Sequence, residues 1–424
     1  MRGGQARAER AAGVGVSARK TWQGEVESAY AWTRLLAAFL LSTIGGVGMW
    51  SIIVALPAVQ AEFGVARADA SLPYTMTMIG FGLGGILMGR ISDRLGIIIS
   101  VAAGSIALTL GYLVAGSAAT LWQLALAQGL LIGVGSSATF GPLIADTSMW
   151  FTRRRGAAVG IIASGNYFAG AVWPPVVQHF IATIGWRHTY LGIGVLCLAS
   201  MLPLALVLRR PSPIPALADD GSQIGSRRPH SLGLPPAALQ VLLALAAFAC
   251  CVAMSMPQVH IVAYCGDLGY GPARGAQMLS LMLSFGIVSR LAFGFISDRI
   301  GGLRTLLLGS SLQVAALVLF LPFDGLVPLY IISALFGLFQ GGIVPSYAII
   351  VREYFSPREA GVRLATVLTA SVFGMALGGW LSGAIFDWTG SYSAAFLHGI
   401  AWNLSNIAIA VWLLRRSAMR LVHA

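Results

Sequence analysis

Long apolar runs separated by short polar bridges set the pattern of this chain. Runs of about 20 residues match a hydrocarbon core about 30 Å thick. They predict helical spans at 31–60, 72–90, 97–117, 120–149, 156–181 and 189–208. A second set follows at 236–263, 275–296, 303–322, 326–351, 361–386 and 393–414. The expected fold is an all-α membrane protein of twelve transmembrane helices, six on either side of a stretch at 209–235 rich in Pro, Arg and Ser.

Composition agrees with the pattern. The 424 residues are 57% hydrophobic and 10% charged, with a mean hydropathy of +0.79, whereas soluble domains carry about 25% charged residues. The 52 glycines suit a packed bundle, because small residues let membrane helices approach closely. A net charge of +12 would suit nucleic acid, but its placement argues for topology instead. Of 27 lysines and arginines, all but Arg67, Arg187, Arg274 and Arg290 fall in the tails, with Arg34 at the start of the first span grouped with the N-terminal one, or in the bridges at 90–96, 153–155, 209–230, 299–304 and 352–363. The positive-inside rule puts that side, and both termini, in the cytoplasm. The domain organisation expected is a disordered cytoplasmic tail at 1–30, a bundle at 31–208, a cytoplasmic linker at 209–235, a second bundle at 236–414 and a tail at 415–424. The partner implied is the bilayer of the cell's inner (plasma) membrane, with no nucleic acid and a monomer expected. Cys197, Cys250, Cys251 and Cys265 lack metal-ligand spacing and read as small apolar residues. No metal and no cofactor is implied. A nucleotide-driven pump or other enzyme is disfavoured, since the sequence has no phosphate-binding glycine loop and its one lysine is Lys20.

Shifting the chain by 205 residues superposes Gly89, Ile91, Ser92, Asp93, Arg94 and Gly96 on Gly294, Ile296, Ser297, Asp298, Arg299 and Gly301. The same shift pairs Gly64 with Gly269 and Gly185 with Gly390. The two halves therefore read as parallel repeats, an arrangement known in transporters whose halves rock about a mid-membrane site. The duplicated Gly-x-x-x-Asp-Arg-x-Gly resembles the signature loop of the major facilitator superfamily, and the likeness covers the whole membrane part. Its glycines allow a tight turn, and its Asp can accept hydrogen bonds at a helix N-terminus. Gly89, Asp93, Arg94 and Gly96, with Gly294, Asp298, Arg299 and Gly301, are thus expected to be conformational hardware.

Gly133-x-Gly135 with Pro142, the stretch Trp150-Phe-Thr-Arg-Arg-Arg-Gly-Ala-Ala-Val-Gly160, Gly185-Trp-Arg187 and Pro257-Gln-Val-His-Ile-Val-Ala-Tyr-Cys-Gly-Asp-Leu-Gly269 narrow the resemblance. They are similar to the monocarboxylate transporter and oxalate/formate antiporter group. The resemblance implies that an arginine four residues before the glycine of the second loop, here Arg290, binds a substrate carboxylate. Elementary physics supports it. Arg290 lies eight residues before Asp298, about 12 Å along a helix, where an arginine costs roughly 2.5–3.5 kcal/mol and must face a cavity or a partner. Its planar guanidinium suits a carboxylate, and its repeat partner is the neutral Gly85. The chain also departs from the group. The late helix-one lysine aligns with Trp50, the acid one turn before the arginine aligns with Gly286, and residues 364–386 hold no charge. The route of any proton is therefore open.

Other candidates carry less. His260 is either a titrating or substrate-contacting group or an interfacial histidine. Asp146 and Arg154 are a candidate gate pair. Trp50, Tyr74, Asn166, Tyr167 and Gln340 are candidates to line a cavity, with packing as the alternative. The function expected is secondary transport of a small organic anion, a monocarboxylate, by alternating access, with protons as the candidate co-substrate. The alternatives are an exporter of drugs or other small molecules, and a membrane sensor that keeps the fold without transport.

Overall fold

The computed structural model describes residues 26–210 and 232–422; the rest of the expected N-terminal tail and linker lies outside them. Every described element is helical. The first half holds α1 (Ala29–Phe63), α2 (Arg67–Leu95), α3 (Ile97–Gly116) and α4 (Leu121–Ser148). The 53-residue stretch Arg155–Val207 is two helices joined at Gly185, whose φ of 78° is not helical, giving α5 (155–184) and α6 (186–207). The second half holds α7 (Pro236–Asp267), α8 (Pro272–Ile300), α9 (Gly302–Leu319), α10 (Leu326–Tyr354), α11 (Pro357–Thr389) and α12 (Tyr392–Val422). Twelve spans thus stand where the apolar pattern predicts them. Many run further than predicted, because the backbone ladder continues into the polar ends: α2 starts at Arg67 rather than 72, and α12 continues to Val422.

The turns repeat along with the sequence. Gly64 and Gly269 have φ of 61° and 82°, Gly96 and Gly301 of 90° and 82°, and Gly185 and Gly390 of 78° and 63°. A side chain at any of them would meet the Cβ clash that makes this region costly for other residues. Glycine also sets how closely helices pack. A Cβ on Gly80 of α2 would lie 1.9 Å from the Gly129 carbonyl oxygen of α4, and one on Gly337 of α10 would lie 1.9 Å from the Met282 carbonyl oxygen of α8.

Three apolar clusters organise the interior. One is confined to the first half, from Ala31 to Leu208, and one to the second, from Leu232 to Leu413. The third crosses between them through Trp50, Tyr74, Tyr167, Val259 and Leu283. Two seams join the halves. Along α2 and α11, Thr75 donates to the Ala376 carbonyl at 3.0 Å. Along α5 and α8, the Ser280 hydroxyl donates to the Ala171 carbonyl.

The two ends of the molecule differ. At the end where α2 begins, Arg67 reaches into the other half. Its Nη2 sits 2.9 Å from Asp267 and its Nη1 donates to the Tyr392 hydroxyl. The Asp387 carboxylate accepts from the backbone N–H groups of Arg67 and Ala68 at 2.9 and 2.7 Å. At the opposite end, where the duplicated loops lie, no hydrogen bond or ion pair joins the halves among the described residues; the last one in that direction is made by Arg290. Among the described residues, the polar ties between the halves are thus concentrated at the Arg67 end.

Candidate functional site

Arg290 stands on α8 where the seam with α5 ends. Its Nη1 donates to the Ala163 carbonyl of α5 at 2.9 Å. Its guanidinium carbon lies 3.8 Å from the centre of the Tyr167 ring, one turn further along the same helix. Its Nε is buried with no hydrogen-bond partner. Among the described residues, no carboxylate pairs with it. The site therefore holds a fixed positive charge with unused donors, which is the chemistry of an anion receptor.

Three of the candidates gather beside it. Trp50 of α1 donates from its indole N–H to the Asn166 carbonyl at 3.2 Å, and the Asn166 amide lies 3.2 Å from the Met49 sulfur. Gly170 brings α5 close enough for Trp50 and Leu283 of α8 to meet over it. Trp50, Asn166, Tyr167 and Arg290 thus form one group on α1, α5 and α8, while the Asn166 side chain turns to Met49 and leaves the guanidinium to Tyr167.

A second group surrounds Gly379 of α11. The His260 Nε2–H donates to the Gly379 carbonyl at 2.8 Å, and a Cβ on Gly379 would lie 2.8 Å from the Tyr74 ring. The Tyr74 hydroxyl and the His260 Nδ1 are both buried without partners. His260 is only 1% exposed and lies seven residues inside the end of α7, where it packs against α11 and is shielded from the surface. Gln340 of α10 is fully buried with both amide atoms unpaired. Its neighbour Gly341 abuts the Gly286 carbonyl of α8.

The gate pair is corrected. Asp146 does not face Arg154; it binds Arg34 of α1 in a two-pronged ion pair, at 2.7 and 2.9 Å. Arg34 also donates to the Leu208 and Arg210 carbonyls at the end of α6 and lies 4.7 Å over the Trp150 ring. All of this is within one half, so the pair braces that bundle and does not tie it to the other. Arg154 lies over Trp32 instead, and its backbone N–H donates to Glu27. The loop motif also differs from expectation: Asp93, Arg94, Asp298 and Arg299 are exposed, and neither aspartate caps a helix. The N–H of Gly302, at the start of α9, donates to Glu353 of α10.

Sequence reasoning missed two arginines. Arg34 was grouped with the basic tail, although its place beyond the start of the first apolar run was a signal. Arg67 was read as an outer loop residue, and its partners Asp267, Asp387 and Tyr392 are 200 or more positions away, beyond any local pattern.

Residues 38–332 match the family model described as Major Facilitator Superfamily. Monocarboxylate transporter 13 of Bos taurus is 28% identical over 400 residues, covering 91% of this chain and 90% of its own length. Monocarboxylate transporter 11 of Homo sapiens is 27% identical over 395 residues, covering 88% and 81%. Among solved structures, the nucleoside transporter NupG superposes with a TM-score of 0.71 at 15% identity, over 90% of this chain and 99% of its own. A bacterial homolog of the human lysosomal transporter Spinster, inward-facing and occupied, gives 0.66 at 16% identity, over 92% and 95%.

Proposed function

Since this chain belongs to the Major Facilitator Superfamily, and is therefore a multi-pass membrane transporter rather than an enzyme, we propose that it carries a small monocarboxylate by alternating access. Arg290 binds the carboxylate. The observation that carries this is a charge without a counter-ion: Arg290 lies at mid-membrane depth between the halves, and no acid among the described residues neutralises it. A carboxylate engaging Nε and the second guanidinium nitrogen would satisfy both the charge and the unpaired donor. One cation without a counter-ion at this depth, with no charge at residues 364–386 of α11, suits one carboxylate. Relatives named monocarboxylate transporters support the same class. Trp50, Tyr167 and Leu283 supply an apolar wall for a short carbon body, and Tyr74, His260 and Gln340 offer polar atoms without partners.

The positive-inside rule places the duplicated loops and both termini on the cytoplasmic side of the plasma membrane. On that orientation the Arg67 cluster ties the halves together on the outer side. A drug-exporter reading would want an acid in the membrane-embedded site, and Asp146, two residues from the end of α4, is already bound by Arg34. The test is uptake of labelled short carboxylates by inserted, folded Arg290→Ala and Arg290→Lys. Both should fall, Ala to background and Lys less far, since an ammonium keeps the charge and loses the planar fork. Undiminished uptake by Arg290→Ala removes the proposal.

A further inference from the structure

Each half ends its first helix with an acid set two residues before a glycine of positive φ: Glu62 before Gly64, and Asp267 before Gly269. Each half also begins its last helix two residues beyond another such glycine, with Arg187 after Gly185 and Tyr392 after Gly390. The 205-residue shift therefore superposes Glu62 on Asp267 and Arg187 on Tyr392. The contact repeats with the positions. Arg187 lies 2.7 Å from Glu62, and the Tyr392 hydroxyl donates to the Asp267 carboxylate.

The charges do not repeat. Arg187 neutralises Glu62 within the first half, where the Trp186 indole donates to the same carboxylate. A tyrosine at 392 gives Asp267 a hydrogen bond and no countercharge. That countercharge comes from the other half, where Arg67 places its Nη2 at 2.9 Å. Arg67 has no counterpart in the repeat, since Pro272 stands at its position. Its side chain is 7% exposed, covered by the Phe386 and Tyr392 rings of the second half. Its own half offers it the neutral Gln60, at 2.7 Å from Nε.

We infer that Tyr392 is what turns one of two equivalent acid contacts into a tie between the halves, and that the resulting Arg67–Asp267 pair weights the carrier toward the conformation described. This rests on the alternating access of the proposed function and says nothing of the substrate. When the halves part at this end, Arg67 keeps Gln60 and water, and Asp267 keeps the Tyr392 hydroxyl. Glu62 and Arg187 lie in one half and stay together in either conformation. The two acids thus do different work: Glu62 holds a bundle together, and Asp267 sets a population. Asp267 is 42% exposed, so water screens the pair and its effect on the population is about fivefold to tenfold rather than larger.

The test uses the full chain in lipid nanodiscs with no carboxylate present. Spin labels at Ala119→Cys and Phe323→Cys, both exposed and on the bridges of the two halves at the Arg67 end, report the separation. The four native cysteines are buried. Asp267→Asn and Arg67→Gln should each raise the ratio of long to short separations about fivefold to tenfold. Glu62→Gln, the equivalent change in the first half, should leave the ratio at the wild-type value and lower the thermal midpoint instead. Tyr392→Arg gives Asp267 a cation of its own half, as Glu62 has. It should part this end as far as Arg67→Gln does, and adding Arg67→Gln to it should change the ratio less than about twofold.

Labels that stay at the wild-type separations in Asp267→Asn or in Tyr392→Arg overturn the inference. So does a shift in Glu62→Gln equal to that in Asp267→Asn. If Tyr392→Arg does not fold, the comparison of Asp267→Asn with Glu62→Gln decides alone. Unmoved labels together with carboxylate uptake that is lost in Arg290→Ala would remove this inference and leave the carboxylate reading standing. Labels that move as expected in a protein that takes up no carboxylate would do the reverse.

Discussion

Arg34 and Arg290 are both arginines inside the bundle, and their surroundings separate their roles. Arg34 is 1% exposed, bound on two sides by Asp146 and on a third by the carbonyls of Leu208 and Arg210. Removing one partner strands the other in a buried site, so Arg34→Ala and Asp146→Asn should each cost about 3–5 kcal/mol. A thermal melt of the purified protein in detergent should show it as a clear fall in midpoint, and a midpoint within a degree or so of wild type would contradict the bracing role. Arg290 was legible in the sequence because it lies deep in a span and its repeat partner is Gly85. Arg34 was not, because it lies near the start of a span and its acid is 112 residues away. Glu27 shows a smaller effect outside the spans. The backbone N–H of Arg154, and after it those of Arg153 and Thr152, hold its carboxyl below the ordinary 4.5. A lowered carboxyl contributes stability that is complete above that ordinary value and is lost as pH falls through the lowered one. Hydrogen exchange at the amides of residues 152–154 should therefore be flat from neutral pH to about 4.5 and quicken below it, once intrinsic rates are divided out.

At the scale of elements, α2 begins without a capping side chain of its own. Its cap comes from the other half, where Asp387 near the end of α11 accepts from the first N–H groups of α2. A carboxylate at a helix N-terminus is favoured both by these bonds and by the helix dipole. Asp387→Asn keeps the shape and loses the charge. It should loosen the Arg67 end, raising hydrogen exchange in peptides covering residues 60–75 and 383–392 by about tenfold for each charge-assisted bond of roughly 1.5 kcal/mol. Peptides around Gly302, capped by Glu353 within one half, should not change; equal loosening at both ends would mean that Asp387 is a general stabiliser and not a latch. The twelve helices themselves were readable from hydropathy, and the three glycine turn pairs from the 205-residue shift, since both follow from local chemistry. The latch was not readable. Arg67, Asp267 and Asp387 each look like ordinary span ends, and only folding brings them together.

Across the whole molecule, the hydrogen bonds between the halves run from the Arg67 cluster down two seams and stop at Arg290. The last tie between the halves is thus also the unpaired cation. On the proposed reading, a carboxylate arriving there would compete with the Ala163 carbonyl for the guanidinium and so link occupancy of the site to the contact between the bundles. The sequence carried the repeat, the span count and the special position of Arg290. It did not carry the company Arg290 keeps, because Trp50, Tyr167 and Leu283 come from three helices whose spacing along the chain says nothing of their meeting. The aromatic platform under the guanidinium, the Tyr167 ring, depends on a missing side chain at Gly286, and an absence of that kind leaves no hydropathy signal.

The most direct test of the carboxylate site is binding rather than flux: thermal stability of the purified protein with acetate, lactate and benzoate, against glucose and a lipophilic cation, in wild type and Arg290→Ala. A ligand present at 100 times its Kd stabilises the folded state by about 2.7 kcal/mol. At least one carboxylate should therefore raise the wild-type midpoint by several degrees and leave Arg290→Ala unmoved. Stabilisation by carboxylates that persists in Arg290→Ala, or stabilisation by the sugar or the cation alone, would contradict the account.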